Sequence, residues 1–255
     1  MKALVKSFDN LFSVVGRVAL VTGGGSGIGR FMANALAEKG ATILLAGRNE
    51  DKLNDVLAGQ DGNVFALDLT DAGASNRLFE MVKEFGNQPD IIINAAGINP
   101  RLHADTIDEH TWTYTVHLNL NVPFLIAQKF VPNMKANGWG RIINIASMQS
   151  SRAFPNGISY GAAKGGVAQL TRAMAEAWSA DGITANAIAP GFFPTDLTAP
   201  LFADPKTSGE LASRTAIGRN GDLEDLRGPL IFLASDASAY VTGQIINVDG
   251  GMTAK

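Results

Sequence analysis

The 255-residue chain has no cysteine. That removes disulfides, thiolate metal sites and a cysteine nucleophile together, and it fits a reducing compartment. Charged residues are sparse at 18%, the formal net charge is −3, and there is no basic run. Nothing in that balance recruits nucleic acid. No apolar run approaches the ~20 residues a membrane-spanning helix needs. The stretch Met1 to Gly16 carries two lysines but no sustained apolar core, so a secretory leader is not expected and a cytoplasmic location is. The three histidines, His103, His110 and His117, recur every seven residues. On one helix each step would climb ~10 Å, too far for a shared ion, so no metal site is expected.

Glycine is abundant at 28 residues, and 46% of the chain is apolar, enough for a sizeable core. Short apolar runs alternate with helical stretches. Arg17 to Val21, Thr42 to Ala46, Val64 to Leu67, Ile91 to Ile93, Ile142 to Ala146, Ile183 to Ile188 and Ile245 to Val248 read as buried strands. Helices are expected over 31–39, 70–85, 108–137 with a bend near Pro123, 162–178 and 223–234. Strand–helix alternation with near-continuous apolar strands predicts an α/β fold, a doubly wound parallel sheet of about seven strands covered by helices on both faces. No linker or repeat interrupts it, so residues 1–255 are expected to form one domain. Residues 196–217 show no clean period, and a mobile substrate segment is expected at about 192–217.

In such sheets ligands bind beyond the carboxyl ends of the strands. The first strand runs into Thr22-Gly23-Gly24-Gly25-Ser26-Gly27-Ile28-Gly29. A glycine-rich turn opening a helix can hold a pyrophosphate on backbone N–H groups. It is not a Walker A loop, because Arg30 and Phe31 follow Gly29. The spacing Gly-x-Gly-x-x-Gly also fails in every register. Dinucleotide folds that bind a free ribose 2′-hydroxyl place an acid near the end of the second strand. Here that end is Gly47-Arg48-Asn49. A guanidinium suits a 2′-phosphate, so NADP is the expected preference with NAD possible; an exposed arginine at a helix start is the duller reading. Asp68, Asn94, Ser147 and Pro190 fall at other predicted strand ends, on the same edge.

Tyr160 and Lys164 are four apart and share a helix face. A tyrosine is a poor base near neutrality, but a neighbouring ammonium favours its phenolate. With Ser147 at a strand end to hydrogen-bond the same reacting oxygen, the pair is a plausible proton-transfer device. Arg101 and Arg152 each follow a strand end and could pair with a substrate carboxylate, or could be solvated loop arginines. Gln149 could hydrogen-bond sugar hydroxyls.

Thr22 to Gly29, Asn94-Ala95-Ala96-Gly97, Asn119, Ser147, Tyr160, Lys164 and Pro190-Gly191 together resemble the short-chain dehydrogenase/reductase family, from Gly16 to Gly251. Ala95 departs from the family's usual second Asn in that turn. Within the family the chain is most similar to enzymes of the gluconate 5-dehydrogenase and 2-deoxy-gluconate 3-dehydrogenase type. The resemblance implies hydride transfer between nicotinamide and a secondary alcohol or ketone, with a sugar acid or polyol as small-molecule substrate. It implies that Tyr160 exchanges the proton and that Lys164 lowers the Tyr160 pKa and holds the nicotinamide ribose. Ser147 would polarise the substrate oxygen, and Asn119 would anchor a water. For the cofactor it implies Gly23, Ser26, Gly27, Ile28 and Gly29 at the pyrophosphate and Asp68 and Leu69 at the adenine. Asn94 to Gly97 would line the groove. The segment from Pro190 and Gly191 through Phe193 to Thr195 would fix the carboxamide. It also implies a homotetramer. A 3-oxoacyl-[acyl-carrier-protein] reductase shares every one of these motifs. A non-catalytic nucleotide-sensing protein would keep the fold but need none of the four catalytic side chains.

Overall fold

The computed structural model describes residues 7–255, so part of the stretch read above as lacking a leader, residues 1–6, lies outside the described residues. After a short helix α1 (Phe8–Leu11) come β1 (Val18–Thr22), α2 (Gly27–Ala37), β2 (Thr42–Gly47), α3 (Glu50–Leu57), β3 (Gly62–Ala66), α4 (Ala74–Phe85) and β4 (Ile91–Asn94). The second half holds α5 (Glu109–Val116), α6 (Val122–Asn137), β5 (Gly140–Ile145), α7 (Ile158–Trp178), β6 (Ile183–Pro190), α8 (Ala199–Phe202), α9 (Pro205–Ser213), α10 (Arg227–Ala234) and β7 (Ile245–Val248). The seven strands form one parallel sheet in the order β3-β2-β1-β4-β5-β6-β7.

Strand side chains alternate between the two faces. Ala19, Val21, Ile43, Leu45, Ile91 and Ile93 therefore enter one apolar cluster with α2 and α10. Leu20, Leu44, Ile92 and Ile142 are in register across the sheet and enter the other, with α4 and α6. Both clusters are fully buried at their centres, which is why these strands read as continuous apolar runs. The order reverses direction between β1 and β4, so a crevice opens there beyond the strand carboxyl ends.

Several helix boundaries differ from the sequence expectation, each for a local reason. The helix expected from residue 31 begins at Gly27, directly on the glycine loop. That expected from residue 70 begins at Ala74, because the Asp68 carboxylate accepts from the Thr70 N–H and hydroxyl at 2.9 and 2.6 Å and closes a local turn. The region 108–137 is broken by a π-helical turn, His117–Asn121. Pro123 sits in the first turn of α6, where its missing N–H costs little; the irregularity is the π turn and not the proline. α7 starts at Ile158, which brings Tyr160 inside its first turn. The irregular segment 196–217 contains two short helices, the second capped by Asp204, which accepts from the Lys206 and Thr207 N–H groups. The helix expected over 223–234 opens with a 3₁₀ turn, Leu223–Leu226.

Candidate active site

One cavity of about 540 Å³ runs along the carboxyl edge of the sheet. Its floor is the glycine loop. Ser26 precedes α2 in an extended conformation and its hydroxyl makes no capping bond. The first N–H groups of α2 are thus left for an anion, with the helix dipole behind them. Gly23 has φ +68, and a Cβ there would lie 2.8 Å from the Ala96 backbone. The Ala96 N–H also bonds to the Thr22 hydroxyl at 3.3 Å. The loops after β1 and β4 are therefore packed backbone to backbone, as a groove for a flat ligand requires.

At one end of the cavity stand Arg48 and Asp68. Burial raises the Asp68 pKa, but hydrogen bonds from Thr70 and the Arg48 charge outweigh it, and the carboxyl stays below its usual range. Arg48 is exposed at the rim, with Nη1 3.5 Å from the Tyr114 hydroxyl. Glu50 and Asp51 occupy the first turn of α3 and do not line the cavity. Lys52, Asn49 and Tyr114 join this end; a basic side chain one turn into α3 carries no sequence signature of its own.

Toward the centre, β5 and α7 bring Ser147, Tyr160 and Lys164 together. Ser147 opens a 3₁₀ turn, and its Oγ accepts the Gln149 N–H at 3.1 Å. The same hydroxyl hydrogen-bonds Tyr160. Burial raises the Tyr160 pKa; the Ser147 bond and the Arg101 charge pull it back in part. Lys164 is 5% exposed and donates to the Ile145 carbonyl at 2.6 Å, with Nζ 5.6 Å from the Tyr160 ring centre. Burial lowers its pKa to about 8. The charge of Arg101 helps to lower the Tyr160 pKa, and the Lys164 ammonium donates to the Ile145 carbonyl.

The π turn places Asn119 behind Lys164. Its Nδ2 donates to the Ile98 and Thr115 carbonyls, both at 2.9 Å. Among the described residues its Oδ1 is buried without a partner, and a Cβ on Gly97 would come within 2.6 Å of it and 3.8 Å of Lys164 Nζ. A buried acceptor beside an ammonium is a place for an ordered water.

Arg101 lines the far wall with its Nη2 3.4 Å from the Leu197 carbonyl. Its φ is +52, held by an Asn99 side chain that accepts the Arg101 N–H at 3.2 Å. Left-handed backbone at a non-glycine residue is strained and concentrates at functional sites. Burial lowers the Arg101 pKa, and Tyr160 opposes the shift. Gly191, Phe193, Thr195 and Leu197 complete the roof.

Two sequence assignments are corrected. Arg152 is not in this cavity: its guanidinium donates to the Met252 and Lys255 carbonyls at 2.5 and 2.8 Å. Asn94 is buried inside the sheet and donates to Asn144 Oδ1 at 2.8 Å; Asn144 in turn donates to Thr171 of α7 at 2.9 Å. It ties β4 through β5 to the catalytic helix, and Ala95 to Gly97 line the groove without it. The histidines lie apart in function: His103 pairs with Asp105, His110 stacks on Tyr114, and His117 meets Asn121. Among the described residues no group of three His, Cys, Asp or Glu side chains is placed to hold a metal ion, and no helix is long and apolar enough to cross a membrane.

A doubly wound parallel sheet with a glycine loop at its switch point and a Ser–Tyr–Lys set beside it defines a nucleotide-binding α/β oxidoreductase. Residues 23–253 match the family model described as enoyl-(acyl carrier protein) reductase, and the chain belongs to the short-chain dehydrogenase/reductase family. It is 38% identical to the gluconate 5-dehydrogenase of Gluconobacter oxydans, over 97% of this chain and 98% of that protein. It is 41% identical to the 2-dehydro-3-deoxy-D-gluconate 5-dehydrogenase of Escherichia coli K12, over 96% and 98%. A gluconate 5-dehydrogenase from Burkholderia cenocepacia, solved with NADP and tartrate, superposes with a TM-score of 0.92 at 38% identity, covering 97% of this chain and 99% of that one.

Proposed function

We propose that the protein is an NADP-dependent dehydrogenase that interconverts a secondary alcohol and a ketone on a sugar acid. The observation that carries the substrate class is Arg101, a strained, half-buried guanidinium in the same cavity as Tyr160, facing where a carboxylate would balance its charge. The dinucleotide fits the groove: the α2 N-terminus is uncapped, a side chain at Gly23 or Gly29 would run into backbone, and an arginine stands where NAD enzymes keep an acid. When bound, the nicotinamide exchanges a hydride with the substrate carbon.

The protein's own residues do the rest. Tyr160 takes or gives the proton of the substrate oxygen. Ser147 shares that oxygen, its own lone pair polarised by the Gln149 N–H. Lys164 supplies positive charge beneath the phenol, and Asn119 Oδ1 holds the water that replaces its proton. Gly23 to Gly29 and Ala95 to Gly97 seat the dinucleotide, Arg48 meets the 2′-phosphate, Asp68 and Leu69 border the adenine, and Pro190 to Thr195 position the carboxamide end. We further propose one cytoplasmic catalytic domain whose segment 192–217 moves on substrate binding, assembled as a homotetramer. The lone neighbour of β7 and the fully exposed Tyr240 near it support an interface at that edge.

The test is reduction of NADP⁺ and NAD⁺ with gluconate, 2-deoxygluconate and uncharged polyols, with NADPH-driven reduction of a 3-oxoacyl thioester alongside. Sugar-acid turnover with NADP⁺ is expected; thioester activity alone would move the protein to the acyl reductase class. Arg48→Ala is expected to raise the KM for NADP⁺ by about 10- to 100-fold, the worth of one charged hydrogen-bond contact, and to leave the NAD⁺ value within a small factor. Arg101→Met is expected to raise the KM for gluconate by a similar ~10- to 100-fold but to change that for an uncharged polyol far less. Equal effects on both substrates would remove the carboxylate assignment.

A further inference from the structure

The reacting groups stand on two separate segments, and one residue outside the cavity joins them. Ser147 opens the 3₁₀ turn that follows β5, and Lys164 belongs to α7. Ser150 closes that turn: its N–H donates to the Ser147 carbonyl at 2.9 Å. Its hydroxyl makes two further bonds. It accepts the Ser147 N–H at 3.3 Å and donates to the Lys164 carbonyl at 2.7 Å. A serine hydroxyl has one proton to give and lone pairs to accept with, so both bonds are made at once. The Lys164 carbonyl can take its share because a carbonyl oxygen keeps a second lone pair beyond the one a helix uses. Ser150 is half-buried and is not among the residues that line the cavity. What it does for the reaction it therefore does through Ser147 or through α7.

Which of the two it positions follows from their stiffness. α7 has 21 residues and buries a whole face, with Ala163, Lys164, Val167, Thr171 and Met174 on it. The turn has three residues, and a 3₁₀ turn has poorer hydrogen-bond geometry than an α-helix. The helix is the fixed part, and the turn is the part held against it. The Ser147 hydroxyl also hydrogen-bonds Tyr160, one turn before Lys164 on the same helix. A Ser147 backbone that drifted from α7 would loosen that bond first. We propose that Ser150 is a positioning residue that clamps the Ser147 backbone to α7 and so sets the distance between the Ser147 and Tyr160 hydroxyls. The inference rests on the reading that those two hydroxyls share the reacting oxygen, and it adds to that site a residue outside the cavity.

The experiment is a double-mutant cycle on alcohol oxidation, run on the wild type, Ser147→Ala, Ser150→Ala and the double variant with the best alcohol substrate of the wild type. Ser150→Ala is expected to lower kcat by about tenfold, the worth of a lost neutral hydrogen bond. The Kd for NADPH, read by its fluorescence, is expected to stay within about twofold, since α7 keeps its place. The climb of log kcat/KM with pH is expected to move to higher pH, because a loosened Ser147 bond no longer acidifies Tyr160 and only the Arg101 charge still does. In the Ser147→Ala background, Ser150→Ala is expected to change kcat by less than about twofold and to leave the pH profile in place. An equal loss in both backgrounds, an unmoved pH profile, or a loss of NADPH affinity that matches the loss in kcat would mean that Ser150 supports the fold in general, and would overturn the proposal. Ser150→Cys, close to serine in volume and only a weak donor, takes the same place in the cycle if the alanine variant does not fold. A Ser147→Ala enzyme as active as the wild type would instead remove the shared-oxygen reading, and the proposal with it.

Discussion

Replacing Tyr160 by Phe is expected to lower kcat for sugar-acid oxidation by about 10²- to 10⁴-fold, the span that a positioned proton acceptor contributes. The phenol lines the cavity with Ser147 and Lys164, and Ser147 holds its pKa down as a hydrogen-bond partner. The pH profile sharpens the test. Alcohol oxidation needs the phenolate. Burial raises the Tyr160 pKa, and only the Ser147 bond and the Arg101 charge oppose it. Log kcat/KM for oxidation should therefore climb with pH past the ordinary tyrosine value of about 10. Ser147→Ala or Arg101→Met removes an acidifying partner and should move the climb to higher pH. Measurement with an uncharged polyol isolates this from the binding role of Arg101. A profile that is flat, or that stays in place in both variants, would mean that another group carries the proton.

The same residues show how far sequence reaches. The strands were legible because both faces of the sheet are covered: Ile91-Ile92-Ile93 is buried on alternate sides, and a run with no polar face can hardly be anything else. The cavity followed from counting strand ends, since a parallel sheet delivers all its carboxyl ends to one edge. What stayed hidden depends on contacts between distant segments. Arg152 follows a strand end as Arg101 does, and nothing local separates them. Their difference is that the chain's last residues return to cover Arg152 with carbonyls 100 and 103 positions away, whereas Leu197 leaves Arg101 open to the cavity. Asn94 likewise looked like a groove residue, because its side chain's turn toward Asn144 is fixed by strand register.

Helix boundaries were hidden for a different reason. The π turn at His117–Asn121 has no composition signal, yet it is what turns Asn119 toward Ile98 and Lys164. α7 begins at Ile158, four residues before the helix start expected at residue 162. Asn156 does take a left-handed conformation, φ +57, and the helix begins at once after Gly157. That early start puts Tyr160 in the first turn, one helical turn before Lys164, in the cavity that Ser147 also lines.

Lys164 gives the second large expected effect. Its ammonium is buried, and its pKa is lowered from 10.5 to about 8 by burial alone. Below about pH 8 the lysine is charged in both folded and unfolded chains, and folding carries the full cost of burying the charge. Between about 8 and 10.5 the unfolded chain keeps its proton while the folded one has lost it, so stability rises with pH across that window. The gain is about 3 kcal/mol over the window, from ~1.4 kcal/mol per pKa unit. Urea unfolding of the nucleotide-free protein, paired with Lys164→Met, isolates the effect because every other group titrates in both. The stability of wild type relative to the variant is expected to increase by about 3 kcal/mol from pH 7 to 11. A constant difference would mean that the Ile145 carbonyl alone solvates the ammonium as well as water does. The expected cost has a functional meaning. A charge that is expensive to bury and poorly partnered is one that gains from any ligand able to share it, and a phenolate above it and ribose hydroxyls beside it are such partners. Saturating NADP⁺ should then suppress the pH dependence by raising the Lys164 pKa back toward its ordinary value, which the same titration with nucleotide present would show.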